Sequence, residues 1–167
     1  MGIKFKLVPE PVWIRASDPL FDKSELGDFP KDERDKVSFL INPLTDEVYS
    51  GLREKYTTEK VETVFVQGRR ETQRTTQVDN DGLNEALIDY IVKDWKGVVD
   101  EGGKELPCTR ETKLALVKRG YPMLGVAWIE ASRMVMSQFE DFRRKYKEEQ
   151  EKNLSSLQNG SEGDSKG

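Results

Sequence analysis

Asp94-Trp95-Lys96-Gly97-Val98-Val99-Asp100-Glu101-Gly102-Gly103-Lys104-Glu105-Leu106-Pro107 is the stretch on which the fold turns. It reads as a helix end at Trp95, closed by Gly97, a residue free to take the left-handed backbone that stops a helix. Val98 and Val99 are expected to plug back into the core. Gly102-Gly103 supplies a turn, and Leu106-Pro107 leads out toward a further helix. Nothing in these residues has the form of a catalytic motif.

Upstream, Leu83, Leu87, Ile91 and Trp95 recur at helical spacing, and Ala86 and Tyr90 widen the stripe. This predicts a helix opened by Asp81-Gly82 and ended at Gly97. Before it, Val61 to Val66 and the Thr/Gln/Arg-rich return Glu71 to Val78 read as a hairpin about Gln67-Gly68-Arg69-Arg70. Thr45, followed by Asp46 and Glu47, is a capped helix start, with Val48, Leu52 and Tyr56 on one face. Val37 to Ile41 is a strand stopped by Asn42-Pro43, and Val12 and Ile14, after Pro11, read as a short strand or an extended entry. The connection from Ser17 to Lys36 is polar, with apolar anchors at Leu20, Phe21, Leu26 and Phe29.

Downstream, Thr109 with Glu111 starts a helix to about Arg119. Pro122 suits the first position of a long helix to about Lys152. Its stripe is Leu124, Trp128, Ala131, Val135, Gln138, Phe142 and Tyr146, and a second flank (Met123, Val126, Ile129, Met136) predicts burial on more than one side of its first half. From Glu140 to Lys152 there are five acids and five bases, many paired at i,i+4. Each such pair is worth only about 0.2–0.5 kcal/mol, but together they allow the second half to project into water. The fold class is α+β: a small antiparallel sheet from the N-terminal half packed on a mainly helical C-terminal half with a long projecting last helix. Residues 1–152 form a single domain, and 153–167, rich in Ser, Gly, Asn and charge, form a disordered polar tail.

Composition narrows the function. The 167 residues carry 27 basic and 31 acidic side chains, for a net charge of −4, and the pI is about 5.1. That balance argues against a chain whose main task is gripping a nucleic acid backbone. There is no histidine, which removes the usual general base near neutral pH and the commonest metal ligand. Cys108 is the single cysteine, so no internal disulfide forms, as suits a reducing cytoplasm. No apolar run has the length of a signal or membrane segment.

Several local patterns invite sharper readings. Asp79-Asn80-Asp81-Gly82 resembles a calcium loop, but with Gly82 at loop position 6 the first and twelfth positions fall on Gln77 and Ile88, where carboxylates are required. A helix cap is the better reading. Asp94, Asp100 and Glu101 are candidates for a divalent-cation cluster, weighed against ordinary surface turn residues. Gly97 to Glu105 lacks the Ser/Thr of a P-loop and follows a helix rather than a strand. Arg69, Arg70 and Arg74, with Phe65, offer a basic hairpin tip for a nucleic acid or a plain solvated turn. The candidate partner-binding residues are Trp128, Met136, Phe139, Phe142 and Tyr146, because the outer end of that stripe lies between fully charged flanks, and Met and aromatic side chains suit adaptable surfaces. Neither catalytic residues nor a cofactor or metal site is assigned.

Tyr90-Ile91-Val92-Lys93-Asp94-Trp95-Lys96-Gly97 continuing to Leu106-Pro107, followed by a Thr-capped helix and a longer one, resembles the tail assembly chaperones of long-tailed bacteriophages and prophages. Phe39-Leu40-Ile41-Asn42-Pro43-Leu44-Thr45 is similar to the same group, and the likeness covers roughly residues 37 to 130. Asp94, Trp95, Gly97, Asp100, Gly103, Leu106 and Pro107 carry the shared motif as a structural turn. The resemblance implies a non-catalytic protein of the bacterial host cytoplasm. It would bind the tape measure protein, keep it soluble and help tail tube protein assemble around it; weak self-association is expected instead from the apolar outer end of the last helix. A nucleic-acid-binding accessory protein using the arginine hairpin is the alternative.

Overall fold

The computed structural model describes residues 8–22 and 29–162. Met1 to Leu7, Leu26 and residues 163–167 of the expected tail lie outside the described residues. In chain order the elements are β1 (Val12–Arg15), α1 (Pro19–Asp22), a 3-10 turn (Lys31–Lys36), β2 (Ser38–Ile41), α2 (Asp46–Lys55), β3 (Thr57–Val66), β4 (Arg69–Val78), α3 (Asn80–Ile91), β5 (Val92–Lys96), α4 (Arg110–Ala115) with a π turn (Leu116–Gly120), and α5 (Pro122–Glu162). The class is α+β, with a small antiparallel sheet against helices and a long last helix.

The sheet has the order β1-β2-β5. β2 is central, so its inward residues Phe39 and Ile41 are fully buried. Trp128 of α5 stands edge-on to Phe39 with ring centroids 5.2 Å apart, and Phe21 of α1 meets the same ring at 5.8 Å. Burying side chains of this size stabilises the fold by roughly 1.5–3 kcal/mol each. On the outer face, Lys96 Nζ sits 4.4 Å from the Trp13 ring centroid, a cation–π contact between the two edge strands.

β5 corrects the sequence reading. The helix expected to run through Trp95 ends at Ile91, and Val92–Lys96 is a strand paired with β2. A bulge between Leu40 and Ile41 of the register leaves Lys93 as the extra residue, so Val92 and Trp95, three apart, both face inward and are buried. Helical spacing and a bulged strand thus present the same pattern. The hairpin is also a sheet of its own rather than part of the central one.

The helix caps follow the sequence. Thr45 Oγ1 accepts from Val48 N at 3.2 Å, Asp79 Oδ1 from Gly82 N at 3.1 Å, and Thr109 Oγ1 from Thr112 N at 3.3 Å. Asn42, just past β2, ties three elements together. Its N donates to Ile91 O and its Nδ2 to Tyr90 O, each at 2.7 Å, while its carbonyl accepts from the buried Ser132 Oγ at 2.5 Å. Lys113 of α4 is buried and donates to both the carbonyl (2.9 Å) and the carboxylate (3.0 Å) of Asp89, which locks α4 to α3. Helix α5 continues to Glu162, beyond the end expected near Lys152, so residues 153–162 of the expected disordered tail are helical.

Candidate partner-binding surfaces

The stretch from Asp94 to Pro107 is a closed structural loop. Gly97 has φ +80°, and a Cβ there would lie 2.1 Å from the Lys36 carbonyl oxygen. Asp100 Oδ1 accepts from the backbone N–H of Gly102 and of Lys104, each at 2.9 Å, and Asp100 N donates to Lys104 O at 2.8 Å. Gly103 also has a positive φ of 80°. Trp95 Nε1 donates to Leu106 O at 2.7 Å, which pins the return of the loop to the sheet just before Pro107. Asp94 Oδ1 accepts from Trp95 N at 2.8 Å. Val98 is buried as expected, but Val99 is exposed, because it bridges Glu105 in extended backbone and neighbouring residues of such a chain point opposite ways.

These contacts employ Asp94 and Asp100 in the turn itself. Among the described residues no three Cys, Asp or Glu side chains gather as a metal-binding group, and Asp94, Asp100 and Glu101 do not come together as one. Cys108 lies beside this loop, and burial pushes its thiol pKa up, with Lys113 opposing and Asp94 and Asp89 adding to the rise. That is the reverse of an activated nucleophile.

The aromatic stripe of α5 divides at the edge of the domain. Trp128 is fully buried, so its place is the core and not a partner surface. Val135 is the last buried residue of the helix among those described. Met136 is half-buried beside Leu44, Thr45 and Tyr49. Phe139, half-buried, and Phe142, 59% exposed, line a groove of about 400 Å³ with Pro9 to Val12. Tyr146 is half-buried and its hydroxyl accepts from Gln150 Nε2 at 3.2 Å. Leu154 and Leu157, not singled out in the sequence, are 62% and 71% exposed; Leu157 falls three helical turns beyond Tyr146, close to the same stripe. The 41-residue helix is about 60 Å long, and more than half of it lies past Val135.

The expectation that the first half of α5 is buried on a second flank is only partly met. Met123 and Val126 are exposed, and Val126 and Ile129 border an open groove of about 700 Å³ floored by Ile88, Leu114 and Val117. Lys118 and Glu85 pair at its rim.

The hairpin is the second projection. Its strands have 10 residues each, about 33 Å of extended chain, and nearly every side chain is exposed on both faces. Gln67 and Gly68, with φ of 51° and 77°, form a two-residue turn that matches the twist of the strands. Residues opposite one another share a face, so Val61, Phe65, Arg70 and Arg74 lie on one side, while Arg69, opposite Val66, lies on the other. The three arginines are therefore not one patch. Arg70 lies 5.8 Å from the Phe65 ring centroid, and Arg74 pairs with Glu59 at 3.8 Å.

The molecule is thus a small α+β domain with two exposed arms, a β-ribbon and an α-helix, set on a well-bonded core. A family model for the YdaY prophage protein matches residues 51–153, more than half of the chain and including the whole hairpin and much of the projecting helix. The chain belongs to the YdaY prophage protein family. No curated protein and no solved structure matches it. Among the described residues no helix is long and apolar enough to cross a membrane.

Proposed function

We propose that this prophage protein is a non-catalytic tail assembly chaperone. In the bacterial host cytoplasm it binds the tape measure protein, keeps that long helical client soluble, and presents it to tail tube protein. The observation that carries the reading is the run of Phe139, Phe142 and Tyr146 on α5 immediately past the last buried residue, continued by exposed Leu154 and Leu157. An exposed apolar seam on a helix matches a helical client with its own apolar stripe. Adaptable aromatic side chains allow many weak, repeated contacts along it. Prophage membership and the motif from Tyr90 to Pro107 support the same reading.

The test is co-expression with the large helical protein encoded downstream, followed by capture on this chain. Co-purification, reduced by Phe142→Asp, supports the proposal; a soluble client that ignores the chain overturns it. The second reading, nucleic acid binding, rests on Arg70 and Arg74 sharing a face with exposed Phe65. It calls for low-salt binding lost in Arg70→Glu and weakened by added salt.

A further inference from the structure

The hairpin poses a physical problem. A lone two-stranded ribbon is marginal in water, yet among the described residues no other strand pairs with either edge of β3 or β4. Its composition is strongly strand-forming, with Val61, Val64, Phe65 and Val66 on β3 and a series of threonines along both strands.

The turn fixes which backbone groups are available. In a two-residue hairpin the pair beside the turn, Val66 and Arg69, is hydrogen-bonded, and bonded pairs then alternate along the strands. The outer edge of β3 is therefore presented by Thr57, Glu59, Val61, Thr63 and Phe65. A second, antiparallel β3 related by a two-fold axis must pair these residues with one another, so the axis passes through a residue position.

Charge then selects among the registers. Centring on Glu59 sets Glu59 against its own copy; centring on Lys60 or Glu62 likewise opposes like charges. Centring on Thr63 brings no charges together and sets each Glu62 against a Val64. Centring on Val61 sets Lys60 against the second copy's Glu62 twice over, with Glu59 against Thr63 and Thr58 against Val64. Lys60 and Glu62 already lie on one face, 3.5 Å apart, and in this register they occupy the close, non-bonded pairs where cross-strand side chains interact most strongly. On β4 the register that places Glu71 against Arg69 also opposes Arg70 to itself. Charged residues on an edge ordinarily block pairing; on β3 they attract in one register that the backbone permits.

We propose that a second copy of this chain pairs antiparallel with the outer edge of β3, centred on Val61, joining the two hairpins into one continuous ribbon with reciprocal Lys60–Glu62 contacts. The joined edges form about ten backbone hydrogen bonds and bring the two Val61 side chains together. The interface is built from β3 and uses none of the aromatic seam residues of α5.

Sedimentation equilibrium of the full chain provides the test. Lys60→Glu and Glu62→Lys should each weaken dimerisation roughly tenfold or more, and the double reversal Lys60→Glu/Glu62→Lys should restore it. Both side chains are more than half exposed, and a thermal melt of each variant checks that the fold is kept. A chain that stays monomeric at high concentration overturns the proposal. So does a dimer indifferent to both reversals, or one lost instead with Phe142→Asp, which would place self-association on α5. A monomer that binds an oligonucleotide through Arg70 would assign the ribbon to nucleic acid and also overturn it. None of these outcomes depends on the client, so the chaperone reading stands or falls separately.

Discussion

Gly97→Ala strikes the point where the loop after β5 passes the end of the 3-10 turn. Two costs add. An L-residue at φ +80° pays about 1–2 kcal/mol for left-handed backbone. The new Cβ, 2.1 Å from the Lys36 carbonyl oxygen, must push backbone aside, which costs about a further 1–3 kcal/mol. The sum is about 2–5 kcal/mol, a large share of the roughly 5–15 kcal/mol typical of a whole domain. Gly103 provides the control, because it has the same φ of 80° but nothing within 4 Å of the place a Cβ would occupy. Gly103→Ala should therefore lose only the conformational part, about 1–2 kcal/mol. Urea unfolding followed by tryptophan fluorescence measures both, with Trp95 and Trp128 as buried reporters. If Gly97→Ala loses no more than Gly103→Ala, the close approach to Lys36 is not what makes glycine necessary, and the account of this loop is wrong.

Ser132→Ala removes the bond from Oγ to the Asn42 carbonyl in the buried interior, and should lower stability by about 1–3 kcal/mol; a loss below measurement error would mean that Asn42 is held by its α3 contacts alone. Phe142→Asp, by contrast, alters a side chain 59% exposed, so its melting temperature should stay near that of the parent chain while client capture falls. Cys108 has a raised pKa from burial. Disulfide-exchange labelling at pH 8 should therefore be slower in the native chain than in urea, and the native rate should rise as the pH passes the ordinary thiol range. Because the native thiol holds its proton more tightly, its stabilising contribution is complete below the unfolded pKa and declines as pH rises through the folded one; equal labelling rates in both states would refute the burial.

The elements that sequence made legible are those with local causes. Thr45 and Thr109 sit at the caps where their side chains were expected to act, Asp79 is the residue that caps within the expected Asp79-to-Gly82 turn, and Gln67-Gly68 turns the hairpin. Val92–Lys96 was misread because a bulge at Lys93 separates two inward residues by three positions, the spacing of a helix face; only pairing with β2 distinguishes the two. The stripe on α5 was legible as a stripe, but its division was not. Trp128 and Phe142 look alike in sequence, and the body of the domain, ending at Val135, decides that one is core and the other surface. Arg69 is different: residues of a strand alternate faces, so once the turn is confined to Gln67-Gly68, Arg69 must lie on the face away from Arg70 and Arg74. The helical continuation past Lys152 had signals of its own in Leu154 and Leu157, outweighed by the polar composition around them.

The most direct measurement of the central claim is the soluble fraction of the tape measure protein, expressed alone, with this chain, and with the Phe139→Asp/Phe142→Asp variant. The account predicts an insoluble client alone, a soluble one with the parent chain, and a return to the pellet with the variant, whose own fold is unchanged. A client equally soluble in all conditions, or rescued as well by the variant, would contradict it.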